Sequence, residues 1–146
     1  MSPRKRRRRG RYVQNVAELA KDDHAIFYVG EMNPLHLSGA LDLRKHSRRV
    51  ILTGYRYNHY MRGHKDVEEF QHFIPSILTQ PNLVSKSKYA RAMRFIFTRQ
   101  VAGKYMSLIV QIYTGKRQHE VITFHAEGEP DVRARRRAGL IVWERK

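Results

Sequence analysis

The chain has 146 residues, 41% of them apolar and 29% charged, a composition that builds a core of ordinary size and excludes a wholly disordered polypeptide. It holds no cysteine, which excludes disulfides and thiolate metal centres and points to a reducing, cytoplasmic setting. Lys and Arg number 29 against 13 acids, a formal net charge of +16 that favours a polyanionic partner. Residues 1–11 carry seven of the cations and no acid, leaving 22 against 13 in the rest. The body is therefore basic in its own right, and nucleic acid is the expected partner rather than a membrane. The longest apolar runs, such as Ser107 to Tyr113, are too short to cross a bilayer, and no apolar stretch follows the basic start as a secretory leader requires.

Taken in chain order, residues 1–11 read as a disordered basic arm, because like charges at that density repel and nothing there can be buried. Tyr12 to about Lys21 is expected to be a weak helix with Val13, Val16, Leu19 and Ala20 on one side. Ala25 to Val29 and Arg49 to Thr53 have the length and β-branched content of strands, separated by a loop marked by Asn33-Pro34 and Ser38-Gly39. Tyr55 to Gly63 reads as a short helix. Asp66, with Glu69 three residues on, is placed to cap another, whose face carries Val67, Phe70, Ile74, Ile77 and Leu78. Pro75 kinks or restarts it, and Gln80-Pro81-Asn82 ends it. Beyond it the period changes to strands at Arg91–Val101, Lys104–Thr114, Glu120–His125 and Leu140–Glu144, with a tight turn at Ala102-Gly103. The expected fold is α+β, with N-terminal helices packed on a C-terminal antiparallel sheet of about four strands, and residues 12–146 as a single domain.

Strand alternation sorts the sheet residues into two sets. Phe95, Phe97, Val110, Ile112, Ile122 and Phe124 fall on a core face. Arg94, Thr98, Gln111, Tyr113, His119, Thr123 and His125 fall on the other, a set without acids whose types suit phosphate binding and proton transfer.

The segment from Tyr55 to His64 is the densest in chemically useful groups. His59 and Arg62 are helical neighbours, and His64 follows the helix-ending Gly63. A histidine can take the proton of a ribose 2′-hydroxyl or deliver one to a leaving 5′-oxygen. An arginine can bind the phosphate, and Tyr55, Tyr57 and Tyr60 can stack bases. The His59/His64 spacing is not that of a helical metal pair and no acid cluster of ligand type lies near, Asp66, Glu68 and Glu69 reading as helix-start residues, so no metal site and no cofactor are expected.

The stretch NHYMRGHKDVEEFQHFIPSILTQPNLV, followed by RFIFTRQVAGKYMSLIVQIYTG and HEVITF, resembles the phage- and toxin-associated nucleases of the barnase/EndoU/colicin/RelE superfamily. The shared order is a strand, an HxxxxH segment, an amphipathic helix ending near a proline, and three antiparallel strands with a Thr-bearing VIT. It departs at Lys65, where the family often has proline, and at Phe124, where it has a small residue. The resemblance implies a nuclease-like domain and a metal-independent endoribonuclease that leaves a 2′,3′-cyclic phosphate. By position it implies His59 as the leading acid or base, Arg62 or His64 on the phosphate, and Thr123 bonded to a phosphate oxygen. RNA, including tRNA or another structured RNA, and an acidic antitoxin or immunity protein would be its partners. Arg94, Thr98, Arg99, Tyr113, His125 and the arm residues Arg6, Arg7 and Arg8 are the candidate RNA contacts. Two alternatives stay open: a basic RNA- or DNA-binding protein without catalysis, and a metal-dependent nuclease.

Overall fold

The computed structural model describes residues 10–37, 39–88 and 92–146. The basic arm, with Arg6, Arg7 and Arg8, lies outside the described residues up to residue 9. Eight strands form one mixed sheet: β1 (Tyr12–Val13), β2 (Ile26–Glu31), β3 (Arg49–Thr53), β4 (Leu83–Lys86), β5 (Arg94–Val101), β6 (Lys104–Gln111), β7 (His119–Glu127) and β8 (Ile141–Glu144). Their order across the sheet is β1-β2-β3-β7-β6-β5-β4-β8. Three α-helices, α1 (Gly54–Gly63), α2 (Ile74–Thr79) and α3 (Glu129–Arg137), are joined by 3-10 turns at Val16–Lys21, Pro34–Leu37 and Lys65–Phe73.

This corrects the expected architecture. The sheet is twice the expected width and mixed, since β1 runs parallel to β2 and β3 runs parallel to β7. Its helices sit mid-chain and near the C-terminus rather than in an N-terminal block. Residues 10–21 supply no α-helix. Tyr12 and Val13 pair with Ile26 and Phe27, and Asn15 caps a 3-10 turn by accepting from Ala17 N–H at 3.0 Å. Asp66 is not the cap: the 3-10 segment starts at Lys65 with His64, which also ends α1, at its N-cap position, so Asp66 falls inside its first turn. Val67, Phe70, Ile74, Ile77 and Leu78 are buried as the periodicity requires, and Pro75 opens α2.

The core lies on one face of the sheet, here called inner. Val50, Leu52, Phe95, Phe97, Leu108, Val110 and Phe124 meet the apolar sides of α1, α2 and the 3-10 turns there. Buried Gln71 ties the 3-10 segment to α1: its amide donates to Tyr57 Oη at 3.0 Å, and Tyr60 Oη donates to its carbonyl at 3.3 Å. Tyr57 and Tyr60 are thus core residues and are not available to stack bases. Burial, aided by Tyr57, pushes the Tyr60 phenol far above its ordinary range, so it stays a neutral donor.

The start of α1 is set by close packing. Gly54 N–H donates to Ala25 O at 2.8 Å and Tyr55 N–H to Asp23 O at 2.9 Å, while Thr53 caps the helix by accepting from Arg56 N–H. A Cβ on Gly54 would lie 1.9 Å from the Asp22 carbonyl oxygen. Gly54→Ala is therefore expected to cost about 2–3 kcal/mol in urea unfolding, the cost of forced overpacking. The β5–β6 hairpin makes the opposite case: Ala102 (φ 50°) and Gly103 (φ 79°) both adopt left-handed backbone, as a tight type I′ turn demands. Ala102→Gly relieves about 1 kcal/mol of left-handed strain, partly offset by added freedom in the unfolded chain, and should leave thermal stability unchanged or slightly raised.

Candidate functional site

Pairing between β3 and β7 lasts for only two residue pairs, Val50↔His119 and Ile51↔Glu120. The chain then turns into α1, which runs beside β7. Tyr60 meets Phe124 edge-on at 6.2 Å, and the rings of His64 and His125 lie 5.6 Å apart. A second local feature fixes what faces outward. Ile109 pairs with Thr123 but Val110 pairs with Val121, so Ile122 is a bulge residue without a partner. Thr123, His125 and Glu127 consequently share the outer face with Arg94, Gln111 and Ile109.

The bulge also moves His119. Alternation alone puts it with Thr123 and His125, but it shares the face of Val121 and is completely buried. Its Nδ1 accepts from Tyr113 N–H at 3.0 Å and its Nε2 donates to Ser47 O at 2.7 Å. One partner can only donate and the other can only accept, so the ring must be neutral with its proton on Nε2. Burial holds its pKa below the ordinary value, with His46 adding to the shift and the Ser47 bond opposing it.

His125 is half-buried against a built-up cluster. Its Nε2 lies 3.7 Å from Glu127 Oε1, and Glu127 is held from the other side by Arg135 of α3, whose Nη2 donates at 3.0 Å. Arg135 also donates to Ser85 Oγ at 3.1 Å. Burial lowers the His125 pKa first, His64 and Arg135 lower it further, and the Glu127 and Asp131 carboxylates oppose them. At the other end of α1, Arg56 and Glu120 both reach the Tyr113 hydroxyl, whose pKa is raised by burial and then by Glu120.

The remaining sequence candidates divide. His64, Thr123, Tyr113, His125 and Arg94 line the outer face or its α1 margin, with Arg94 Nε donating to Gln111 Oε1 at 2.9 Å. His59 is exposed on α1, one turn beyond Arg56, and its ring stacks with Tyr55 at 6.3 Å. Arg62 is exposed in the last turn of α1. Thr98 is on the outer face but wholly buried, its hydroxyl 2.8 Å from that of Ser107, so it is not open to a ligand. Arg99 is on the inner face, bonded to the Gln80 carbonyl and side chain, and cannot join the same surface.

The sequence reading gave Arg56 no role of its own, missed Glu127, and took Arg135 only as part of an arginine-rich end that extends the substrate groove. The last two depend on α3, a helix announced by Pro130 and Asp131 in its first turn and by the left-handed Gly139 after its end. Between α3 and the sheet lies a cavity of about 400 Å³ with an apolar floor of Ile96, Ile109 and Leu140 and a charged rim of Arg94, Glu127 and Arg135. Among the described residues, no helix is long and apolar enough to cross a membrane, and no three His, Cys, Asp or Glu side chains are gathered as a metal centre needs. Comparison with protein-family models, with curated proteins and with solved structures finds no match for this chain.

His119→Leu should cost about 2–4 kcal/mol near pH 7.5, since it leaves two part-buried backbone groups without their partner. The sign of the pH effect follows from the lowered pKa. Above about pH 6.5 the neutral ring contributes in full, and as pH falls the unfolded chain takes up the proton first. The stability gap between wild type and His119→Leu should therefore narrow between about pH 7 and pH 5 in parallel urea titrations. A gap of constant size would show that His119 does not set the acid limit.

Proposed function

We propose that the protein is a metal-independent endoribonuclease whose acid–base pair is His64 and His125, and that RNA is its substrate. The observation that carries this reading is the approach of the two imidazoles, 5.6 Å apart, on a face that also presents Thr123 and Arg56. Displacement at phosphorus by a 2′-hydroxyl needs one group to accept the O2′ proton and another to protonate O5′ on the far side. His125, kept neutral by burial and by the nearby cations, takes the proton as the O2′–P bond forms. A protonated His64 gives its proton to O5′ as the P–O5′ bond breaks. The products are a 2′,3′-cyclic phosphate and a 5′-hydroxyl, with the two histidines having exchanged protonation states.

The other groups hold the substrate. Thr123 Oγ1 donates to a phosphate oxygen, and Arg56 and Arg62 supply charge along α1. His59, stacked on exposed Tyr55, flanks the entrance as a contact rather than as the first proton carrier. The cavity beneath α3 shares its Glu127 wall with His125 and suits a base, flat and apolar in its faces and polar at its edges.

Incubation of the purified protein with total RNA, with and without EDTA, is expected to give cleavage in both cases and cyclic-phosphate ends. His125→Ala and His64→Ala should each lower kcat about 100-fold or more, with His59→Ala causing a smaller loss. Because the His125 pKa is lowered, the acid limb of kcat/KM should fall below about pH 6.5. Salt-sensitive binding without cleavage would leave a binding protein, and cleavage abolished by EDTA and restored by a divalent ion would leave a metal-dependent nuclease.

A further inference from the structure

The outer face does not end at the histidine pair. Ile51 is the register partner of Glu120 on one side and of Tyr28 on the other, so the same face continues through β3 to β2. Tyr12 in β1, opposite Ile26, is also on it. At this margin the Arg49 guanidinium lies between two exposed tyrosines. Its Cζ is 4.4 Å from the centre of the Tyr28 ring and 5.6 Å from that of Tyr12, and it donates to Tyr12 Oη at 3.3 Å. Tyr28 is 42% exposed and Tyr12 53%. Between this trio and Tyr113 sits an open depression of about 420 Å³ lined by Ile51, Tyr113, Lys116, Arg117, Gln118 and Glu120.

We propose that Tyr28, Arg49 and Tyr12 form a stacking seat for an unpaired RNA base a few nucleotides removed from the cleaved phosphate. Two arguments carry this. Single exposed tyrosines are ordinary, but here two rings and a guanidinium are fixed against one another before any ligand arrives. Little side-chain freedom is then lost when a base stacks on them. The second argument is continuity: the depression, with Lys116 and Arg117 on its rim, runs from Ile51, the register partner of Tyr28, to Tyr113, which Arg56 reaches. Strands roughly 4.8 Å apart put Tyr28 about 10 Å from Glu120, within reach of one strand occupying both places. A backbone lying across the sheet meets those two cations, while its bases meet the rings. Stacking is available only to unpaired bases, so the seat selects single-stranded RNA over duplex.

The cleavage part of this inference rests on the ribonuclease reading; the binding part does not. The test uses the full chain and a non-cleavable 2′-O-methyl single strand of about ten nucleotides, with the fluorescent base 2-aminopurine placed at each position in turn. Wild type is expected to quench the probe at one or two adjacent positions. Tyr28→Ala and Arg49→Gln should abolish that quenching and weaken binding about 5- to 100-fold, with unfolding midpoints kept, and Tyr28→Phe should restore both. On cleavable RNA, Tyr28→Ala should lower kcat/KM for the long strand and leave a dinucleotide unaffected, whereas His125→Ala lowers both. Unchanged quenching in Tyr28→Ala, equal binding of a blunt duplex, or a Tyr28→Phe variant as impaired as the alanine would overturn the seat. Quenching that depends on Tyr28 in a protein that cuts no RNA would uphold the seat and dismiss the ribonuclease.

Discussion

Two antiparallel ribbons meet in this protein at a seam only two residue pairs long, and the buried ring of His119 closes it. On one side are β2 and β3 with the short β1; on the other are β7, β6, β5, β4 and β8. Parallel pairing of two residues offers few backbone hydrogen bonds. The imidazole adds two, joining the β6–β7 connection at Tyr113 to the loop that precedes β3 at Ser47. His119 itself is fully buried and both bonds are at least part-buried, where losing a partner costs more than a surface contact returns. The seam matters to the site because its shortness is what admits α1. Were β3 to stay paired along β7, a strand would occupy the place from which α1 delivers Arg56 and His64 to the outer face.

The elements legible in the sequence are those whose signals are local. β3 was readable from its β-branched run, the β5–β6 hairpin from Ala102-Gly103, and α1 from the Gly-bounded segment that follows Thr53. The elements that escaped depend on distant partners. β1 has two residues and exists only because β2 lies beside it. β4 has four, three of them buried, with no alternation to betray a strand. Helix α3 hides because four arginines outweigh its single buried apolar residue, Val132. The site was half legible for the same reason. Residue types singled out His64, Thr123 and His125, but the one-residue bulge at Ile122 broke the alternation that assigned His119 to their company and Ile122 to the core.

Arg135 shows how a basic composition misleads when read as a sum. A run of arginines near the C-terminus suggests a groove for phosphate. Yet Arg135 is largely buried and holds Glu127, itself almost without exposure. Removing one member of such a pair leaves a buried unpaired charge, typically about 3–5 kcal/mol, which is far more than one solvated phosphate contact supplies. Its first role is therefore to fasten α3 over the β4–β5–β6 end of the outer face. Exposed Arg133 and Arg137 of the same helix are the ones left to contribute field.

That division of labour bears on the chemistry assigned to His125. A carboxylate alone beside an imidazole raises its pKa and favours the charged form, which is the wrong state for accepting a proton from a hydroxyl. Here Glu127 is already engaged by Arg135, and burial, with His64 and that cation adding to it, holds the His125 pKa below its ordinary value. The carboxylate can still orient the imidazole and steady the charge that forms during proton transfer. Helix α3 thus does two things at once: it covers the apolar end of the outer face, and through Arg135 it adds to the lowering of the His125 pKa that burial begins. Among the described residues no helix covers the β2–β3 end, where Tyr28 and Tyr12 are exposed. The face, among the described residues, is covered at its α3 end and exposed at its β2–β3 end, and the proposed stacking seat lies at the exposed end.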